Sequence, residues 1–558
     1  MRLAIDIGGT FTDIVLENEH QLLTKKVLTS IAQPELAVIE GISDLLNENN
    51  INSSEIKMII HGTTLATNAI IERKGAKTCF ITTEGFRDVL DIGYESRFDQ
   101  YDILIEKTMS LVPRKHRYVI EERTDINGSQ IKPINTTQFK KLIEKIKSEN
   151  FESIGIGFLH SYANSENEKI LKEFIFNNLP GVEVSISSEV CPEIREYERF
   201  TTTVINAYIK PLMSNYLKKL EYELDEKGFN CPLLLMTSGG TLTNIASACN
   251  NPVRLVESGP AGGAILATSI ARDLGLNKVI SFDMGGTTAK ITVIENKKAI
   301  KAREFEVDRK ARFKKGSGFP LRIPVIEMVE IGAGGGSIAR VNKLEQIITG
   351  PDSAGSLPGP ACYCNGGTLP TITDADLIIG KINPENFAGG KIKLSKDLAA
   401  DAITKNISQI VNLDMDTAAL AISEIVDETM SNAARVHTVE QGHETSSRTL
   451  IAFGGAAPLH VARVAEKLKV SSIIIPTNAS VGSAIGFLKA PVGYEVVKSL
   501  RTLLKAFPVK KVNDLLKIMR EEAEKVIENK SEKNNFLEER FAYMRYAGQG
   551  HEIKVPIE

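Results

Sequence analysis

Asp6-Ile-Gly-Gly-Thr-Phe-Thr-Asp13 and Asp283-Met-Gly-Gly-Thr-Thr-Ala-Lys290 share one pattern, Asp-hydrophobic-Gly-Gly-Thr, 277 positions apart. Each follows a short apolar run, Leu3-Ala4-Ile5 in the first copy and Val279-Ile280-Ser281-Phe282 in the second. Each leads into a β-branched run, Ile14-Val15-Leu16 or Ile291-Thr292-Val293-Ile294. Strand, glycine turn, strand is the natural reading. Third strands are expected over 22–28 and 299–305, after polar turns at 17–19 and 295–297. Two copies of one antiparallel meander predict a duplicated domain.

The rest of the first half alternates helix and strand. Pro34 opens a helix carrying Leu36, Ile39, Ile42 and Leu46, followed by a strand at 57–60, a helix at 65–73 and a strand at 78–82. A second alternation follows Pro113, with Ser165 and Glu168 in capping-box spacing at one helix start. The expected architecture is α/β: two ribonuclease-H-like halves at 1–265 and 266–500, an inserted α/β subdomain at about 95–190, and a short C-terminal α+β segment at 501–558. In that last segment Val512, Leu515, Leu516, Met519, Ala523, Val526 and Ile527 mark one helix face, and 541–556 reads as strand.

Composition supports this frame. The chain has 558 residues, 42% apolar and 25% charged, which is globular and long enough for about three or four compact units. Sixty-seven Lys and Arg against 70 Asp and Glu leave a charge of −3, without the basic excess that argues for nucleic acid. No stretch supplies about 18 uncharged apolar residues, so no membrane span is expected. The N-terminus turns acidic at Asp6, and six scattered cysteines form neither a disulfide framework nor paired zinc knuckles, so a cytoplasmic protein is expected.

A carboxylate at a strand end followed by Gly-Gly-Thr suits a magnesium-phosphate group. Glycine N–H groups approach phosphate oxygens closely, a Thr hydroxyl adds a donor, and Asp holds Mg²⁺ directly or through water. A single copy would equally suit a β-hairpin that needs glycine for its turn. Two copies in matching strand contexts favour a pair of turns gripping one polyphosphate from both sides. A third glycine element, Phe453-Gly-Gly-Ala-Ala-Pro-Leu-His460, lies between a strand and a helix and suits the adenosine end of a nucleotide. The small-residue stretches 258–267 and 480–488 would let two helices cross closely, as a hinge or as buried packing.

The order phosphate turn, small-residue helix, phosphate turn, adenosine turn, small-residue helix resembles the actin/Hsp70/sugar-kinase ATPase superfamily. Longer motifs narrow the resemblance. His61-Gly-Thr-Thr-Leu-Ala-Thr-Asn-Ala69, Thr83-Glu-Gly-Phe-Arg-Asp88, Arg195-Glu-Tyr-Glu-Arg199, Glu330-Ile-Gly-Ala-Gly-Gly-Gly-Ser-Ile-Ala339, Pro358-Gly-Pro-Ala-Cys-Tyr363 and Met544-Arg-Tyr-Ala-Gly-Gln549 resemble the hydantoinase A/5-oxoprolinase family. That family includes ATP-dependent subunits of N-methylhydantoinase, oxoprolinase, caprolactamase and the acetone and acetophenone carboxylases. The sequence departs from it in three places. Lys290 stands where many relatives carry an acid, Gly442-His-Glu-Thr-Ser446 replaces a Gly-x-Asp-Pro-Arg stretch, and many relatives continue beyond the point where this chain ends at Glu558.

The resemblance implies an enzyme in which Mg-ATP, bound between the halves, activates an otherwise unreactive carbonyl. Asp6 and Asp283 are the candidate Mg²⁺ residues. Gly8, Gly9, Thr10 and Thr12 with Gly285, Gly286, Thr287 and Thr288 are the candidate phosphate contacts. Asp13 would orient the acceptor or a metal-bound water, while Gly454, Gly455 and Ala456 would line the adenosine pocket. His61 is a catalytic candidate, and Thr63, Thr64, Gly334 and Gly335 are candidates on the substrate side. A cyclic amide is the expected substrate, with a hydrolytic B-type partner subunit and a possible homo-oligomer within a heteromeric complex. Carboxylation of a ketone is the alternative within the family, and a nucleotide-gated chaperone or filament protein is the alternative outside it.

Several motifs are read as decoys. Gly332-Ala-Gly-Gly-Gly-Ser337 lacks the third glycine and the βαβ context of a dinucleotide site, which leaves a nest of N–H groups or tight backbone packing. No Gly-x4-Gly-Lys-Ser/Thr occurs, and Ser447 stands where a zinc peptidase would place its second His after His443-Glu444. Cys362 and Cys364 lack a second pair, His460 is expected to cap the adenosine-side helix, and the basic run 303–315 reads as a solvated loop or subunit contact.

Overall fold

The alternating residues of the first copy fold as their period-2 pattern requires, with Leu3, Ile5, Ile7, Ile14 and Leu16 in one core. The structure, a computed structural model, describes residues 1–557 apart from 10, 20, 30–33, 95, 96, 310–315, 391 and 528–535. The candidate Thr10 and the end of the basic run 303–315 thus lie outside the described residues.

Two large sheets repeat one topology. The first runs Leu242–Asn244, Leu233–Met236, Met58–Thr63, Arg2–Ile7, Phe11–Glu17, Leu22–Leu28. Its strand Arg2–Ile7 is antiparallel to Phe11–Glu17 and parallel to Met58–Thr63. The second sheet runs Lys298–Ala299, Ala289–Glu295, Lys278–Met284, Thr449–Phe453, Ser472–Ile474, with Lys278–Met284 antiparallel to Ala289–Glu295 and parallel to Thr449–Phe453. The chain is α/β with a duplicated actin-like fold.

Four expectations are corrected. The third strand of the second copy is not 299–305: Lys298–Ala299 adds only two residues to the sheet, Lys301–Val307 turns away to pair with Phe319–Ile326, and Met328–Ile331 takes the vacated place beside Ala289–Glu295. Thr78–Thr83 belongs to a separate sheet with Arg117–Ile120, Ser153–Gly157 and Glu183–Ile186, so the inserted layer starts before 95. The boundary at 265/266 falls inside the helix Ser258–Asp273. Glu168 does not close a capping box on Ser165; it is buried, and accepts from the Phe158 and Ser188 N–H groups and the Ser187 hydroxyl.

The small-residue stretches do form crossing helices, Ser258–Asp273 and Gly482–Lys489. A Cβ on Gly262 would lie 2.3 Å from the Phe487 ring and one on Gly62 2.2 Å from it, so the three glycines Gly62, Gly262 and Gly486 are what let Phe487 and its helix seat. One core cluster runs through this crossing and joins Ala4, Val15 and Ile60 of the first sheet to Val279, Ile294 and Ile451 of the second. The halves therefore share a core as well as a cleft.

The C-terminal segment forms the amphipathic helix Val509–Ile527 and a hairpin of Phe541–Met544 with Ile553–Pro556. Asn244 Nδ2 donates to the Val526 carbonyl at 2.9 Å, and the Arg303 guanidinium lies 3.8 Å from the Tyr543 ring centre. Among the described residues no helix is long and apolar enough to cross a membrane. All six cysteines, each of them described, are free.

Candidate functional site

Both glycine turns close in the same way. The Gly8 N–H donates to the Phe11 carbonyl at 3.0 Å and the Gly285 N–H to the Thr288 carbonyl at 3.1 Å. Gly9, Gly286 and Thr287 are exposed at the tips, Thr288 is half-buried, and a Cβ on Gly9 or Gly285 would meet only open space. The tips thus present backbone to a ligand.

The carboxylates at the two strand ends meet one helix. A Cβ on Gly259 would lie 3.0 Å from Asp6 Oδ1, and one on Gly263 would lie 3.3 Å from Asp283 Oδ2. Positions four apart on a helix lie on one face, about 6 Å along the axis. Asp6 and Asp283 therefore flank a single turn of the crossing helix. Burial pushes Asp6 up to about 7, with Asp13 and Asp283 adding to the rise and Lys290 and Lys26 opposing it. Burial likewise pushes Asp283 up to about 6, against Lys290. Asp13 is raised by burial, and Lys26, bonded to it across the neighbouring strand, opposes the rise.

Asp6 Oδ1 is buried and has no hydrogen-bond partner among the described residues. An orphaned buried carboxylate oxygen costs stability unless a cation takes it. Magnesium fits, because it is held by one or two carboxylates plus phosphate oxygens and water. No three His, Cys, Asp or Glu among the described residues converge to hold an ion by themselves.

The third glycine element presses on the second turn. Gly454 has φ of 94°, and a Cβ there would lie 2.5 Å from Asp283 Oδ1; the Ala456 N–H donates to the Met284 carbonyl at 2.9 Å. Gly455 is exposed beside the start of the helix Ala457–Leu468. Asp283 is thus enclosed by this turn on one side and by the crossing helices on the other, with Ser483 Oγ 3.5 Å from its Oδ2.

Other candidates are spent elsewhere. His61 is fully buried. Its Nδ1 lies 3.3 Å from the Ile5 carbonyl, which only accepts, so Nδ1 carries the proton and Nε2 accepts from the Tyr216 hydroxyl at 2.9 Å. Burial lowers it to about 4, which keeps it neutral, and neither nitrogen is left for catalysis. Thr12 faces away from the carboxylates because strand neighbours alternate; it bonds Thr29 Oγ1 at 3.1 Å, and Thr29 in turn donates to the Gly8 carbonyl. Thr63 Oγ1 accepts from the Leu65 N–H, and Thr64 Oγ1 donates to the Ile7 carbonyl.

Of the two readings open for 332–337, tight backbone packing fits: the N–H groups of its central glycines are occupied. Gly334 N–H donates to Ser337 Oγ at 2.9 Å, Gly335 N–H to the Gly285 carbonyl at 3.1 Å and Gly336 N–H to the Gly286 carbonyl at 2.7 Å. A Cβ on Gly334 would fall 2.5 Å from the Thr287 backbone. The loop is a backing for the second phosphate turn, and its glycines serve close packing.

His460 does not cap its helix. It is buried between Asp427 Oδ1, 2.7 Å from Nδ1, and Asp376 Oδ2, 3.0 Å from Nε2. Burial would lower its pKa, but the two carboxylates outweigh it and raise His460 to about 9.

Three groups escaped the sequence reading. Lys26 pairs with Asp13. Glu330 Oε1 lies 3.6 Å from Lys290 Nζ. Glu257, at the left-handed φ of 63° just before the crossing helix, is pushed up to about 7 by burial, with Glu330 adding and Lys290 opposing. Only Lys26 had a sequence signal, its place on the strand expected next to the first turn.

The hydantoinase/oxoprolinase profile matches residues 199–496, and the profile of that family's N-terminal region matches 2–179. An uncharacterized protein of Methanocaldococcus jannaschii is 40% identical over all of this chain and 82% of its own length. Caprolactamase subunit alpha of Pseudomonas jessenii is 31% identical over all of this chain and 80% of its own length. The crystal structure of that ATP-dependent caprolactamase superposes with a TM-score of 0.84 at 30% identity, over all of this chain and 81% of that one. The nucleotide-free structure of acetone carboxylase superposes with a TM-score of 0.82 at 25% identity, with the same coverage. Duplicated sheet, paired turns and matched profiles converge: the chain belongs to the hydantoinase/oxoprolinase family.

Proposed function

We propose that this protein is an ATP-dependent cyclic amide hydrolase subunit that opens a hydantoin, 5-oxoproline or related lactam together with a hydrolytic partner subunit in the cytoplasm. The observation that carries this reading is the orphaned, buried Asp6 oxygen placed across one helix turn from Asp283, between two exposed glycine tips. The likeness to an ATP-dependent caprolactamase over the whole chain supports the amide substrate.

Amide resonance makes attack by water slow. Bound Mg-ATP supplies a phosphoryl group that turns the carbonyl oxygen into a leaving group and leaves the carbon electrophilic. The protein's share is positioning and charge neutralisation, which dominate such transfers. Asp6 would hold Mg²⁺ with Asp283 beside it across the helix turn, and Asp13, fixed by Lys26, would orient the acceptor. Gly8, Gly9, Gly285, Gly286, Thr287 and Thr288 would take the phosphates, with Gly454, Gly455 and Ala456 on the adenosine side. Thr12 braces the first turn from below.

Purified protein assayed with and without its partner should turn over ATP faster when a lactam or hydantoin is present. ATP turnover that no cyclic amide stimulates, or that Asp6→Ala leaves intact, overturns the reading. The acetone carboxylase likeness supports a second reading, activation of a ketone or bicarbonate, and transfer of labelled bicarbonate into an acid product would select it.

A further inference from the structure

The two halves are copies in fold but not in charge. In the first, three side chains stand side by side across adjacent strands in register: Asp6 opposite Asp13, and Asp13 opposite Lys26. In the second, the same three places hold Asp283 opposite Lys290, and Lys290 opposite Glu330. Each row has two acids and one lysine, with the last two members exchanged. The ammonium stands next to the strand-end aspartate in the second half and one strand further away in the first.

The exchange leaves complementary needs. Lys26 is satisfied by Asp13, whereas Lys290 makes no hydrogen bond among the described residues; Glu330, at 3.6 Å, is its nearest ion-pair partner, although 82% of the Lys290 side chain is buried. An ammonium has three donors and seeks acceptors. Across the helix turn, Asp6 Oδ1 is a buried acceptor without a donor. A ligand that is cationic at one end and rich in acceptor oxygens at the other meets both needs at once.

Resting on the Mg-ATP reading above, we propose that the halves divide the ligand: Asp6 takes the metal, and Lys290 is a catalytic residue that donates to the transferred phosphoryl group. Asp283 then orients Lys290 and is not itself a metal ligand. As the P–O bond to ADP breaks and the bond to the acceptor oxygen forms, Lys290 transfers no proton. Its fixed charge offsets the charge spread over the phosphoryl oxygens. Glu330, 3.6 Å away, keeps the ammonium in place.

Three measurements test this. Lys290→Met should lower kcat for substrate-stimulated ATP turnover about 100-fold. It should keep the Mg-ATP-induced rise in melting temperature that shows a folded, ligand-competent protein. The double variant Lys290→Glu/Glu330→Lys keeps the ion pair and the composition but restores the order of the first half, and should lose turnover as severely. In calorimetric titration with Mg²⁺ and ADP, Asp6→Asn should weaken metal binding at least tenfold more than Asp283→Asn does. A double variant that turns over ATP like the wild type, or an Asp283→Asn protein that loses Mg²⁺ as fully as Asp6→Asn, overturns the division of roles. A wild-type protein whose melting temperature Mg-ATP does not move overturns the nucleotide reading itself, a result distinct from either of these.

Discussion

Gly486 sits so close to Gly262 that a Cβ on Gly486 would lie 1.8 Å from the Gly262 carbonyl oxygen. The obstacle is backbone of the opposing helix, so no side-chain rotation relieves it. This contact lies at the crossing of the helices Ser258–Asp273 and Gly482–Lys489, in the core shared by the two halves. Gly486→Ala should therefore force the helices apart at a cost of about 3 kcal/mol. A denaturant midpoint unchanged by this substitution would show that the crossing gives way freely.

Asp6 is a site of strain. It is half-buried, with its Oδ1 fully buried and unpartnered, and the Asp13 and Asp283 charges oppose its own. Asp6→Asn removes the charge that burial and neighbours oppose, so the unliganded protein should melt at a higher temperature than wild type, while the stabilisation given by Mg-ATP disappears. A lower melting temperature without ligand would show that Asp6 supports the fold.

His460 predicts a pH dependence. Its folded pKa, about 9, is raised above the usual 6.5 by Asp376 and Asp427, and Lys381 lies 3.4 Å from the same Asp376. A raised histidine contributes stability in full below about 6.5 and loses it as the pH climbs through about 9. The loss should approach about 3 kcal/mol. Urea midpoints measured from pH 6 to 10 should fall on the alkaline side in wild type, and this slope should vanish in His460→Gln.

His61 and Tyr216 form a buried pair. Tyr216→Phe leaves His61 Nε2 without its donor and should cost about 1–3 kcal/mol, with kcat unchanged below the melting range. A large fall in kcat in a variant of normal stability would return His61 to the chemistry.

The sequence by itself determined the repeat, because strand, glycine turn and strand are local patterns that appear in both copies with the same apolar periodicity. It also marked Asp6, Asp283 and the three glycine turns as candidates, because the carboxylate and glycine turn recur in matching strand contexts. The fate of His61 was not legible: only the strand register shows that its place matches Ala452 of the second half, a fully buried residue. Thr12 was read as a phosphate contact, and its pairing with Thr29 shows it turned away from the carboxylates.

Tertiary structure alone decided the rest, because it depends on pairings that no local pattern encodes. Met328–Ile331, and not the residues after Ala299, lies beside Ala289–Glu295, and only this pairing brings Glu330 to Lys290. The glycines of 334–336 are closed because they pack on the second turn, and His460 is charged because two helices distant in sequence bring Asp376 and Asp427 to it. The same holds for the permuted charge rows: their members were visible from the start, but strand register alone set Lys26 one strand away from Asp6 and Lys290 beside Asp283.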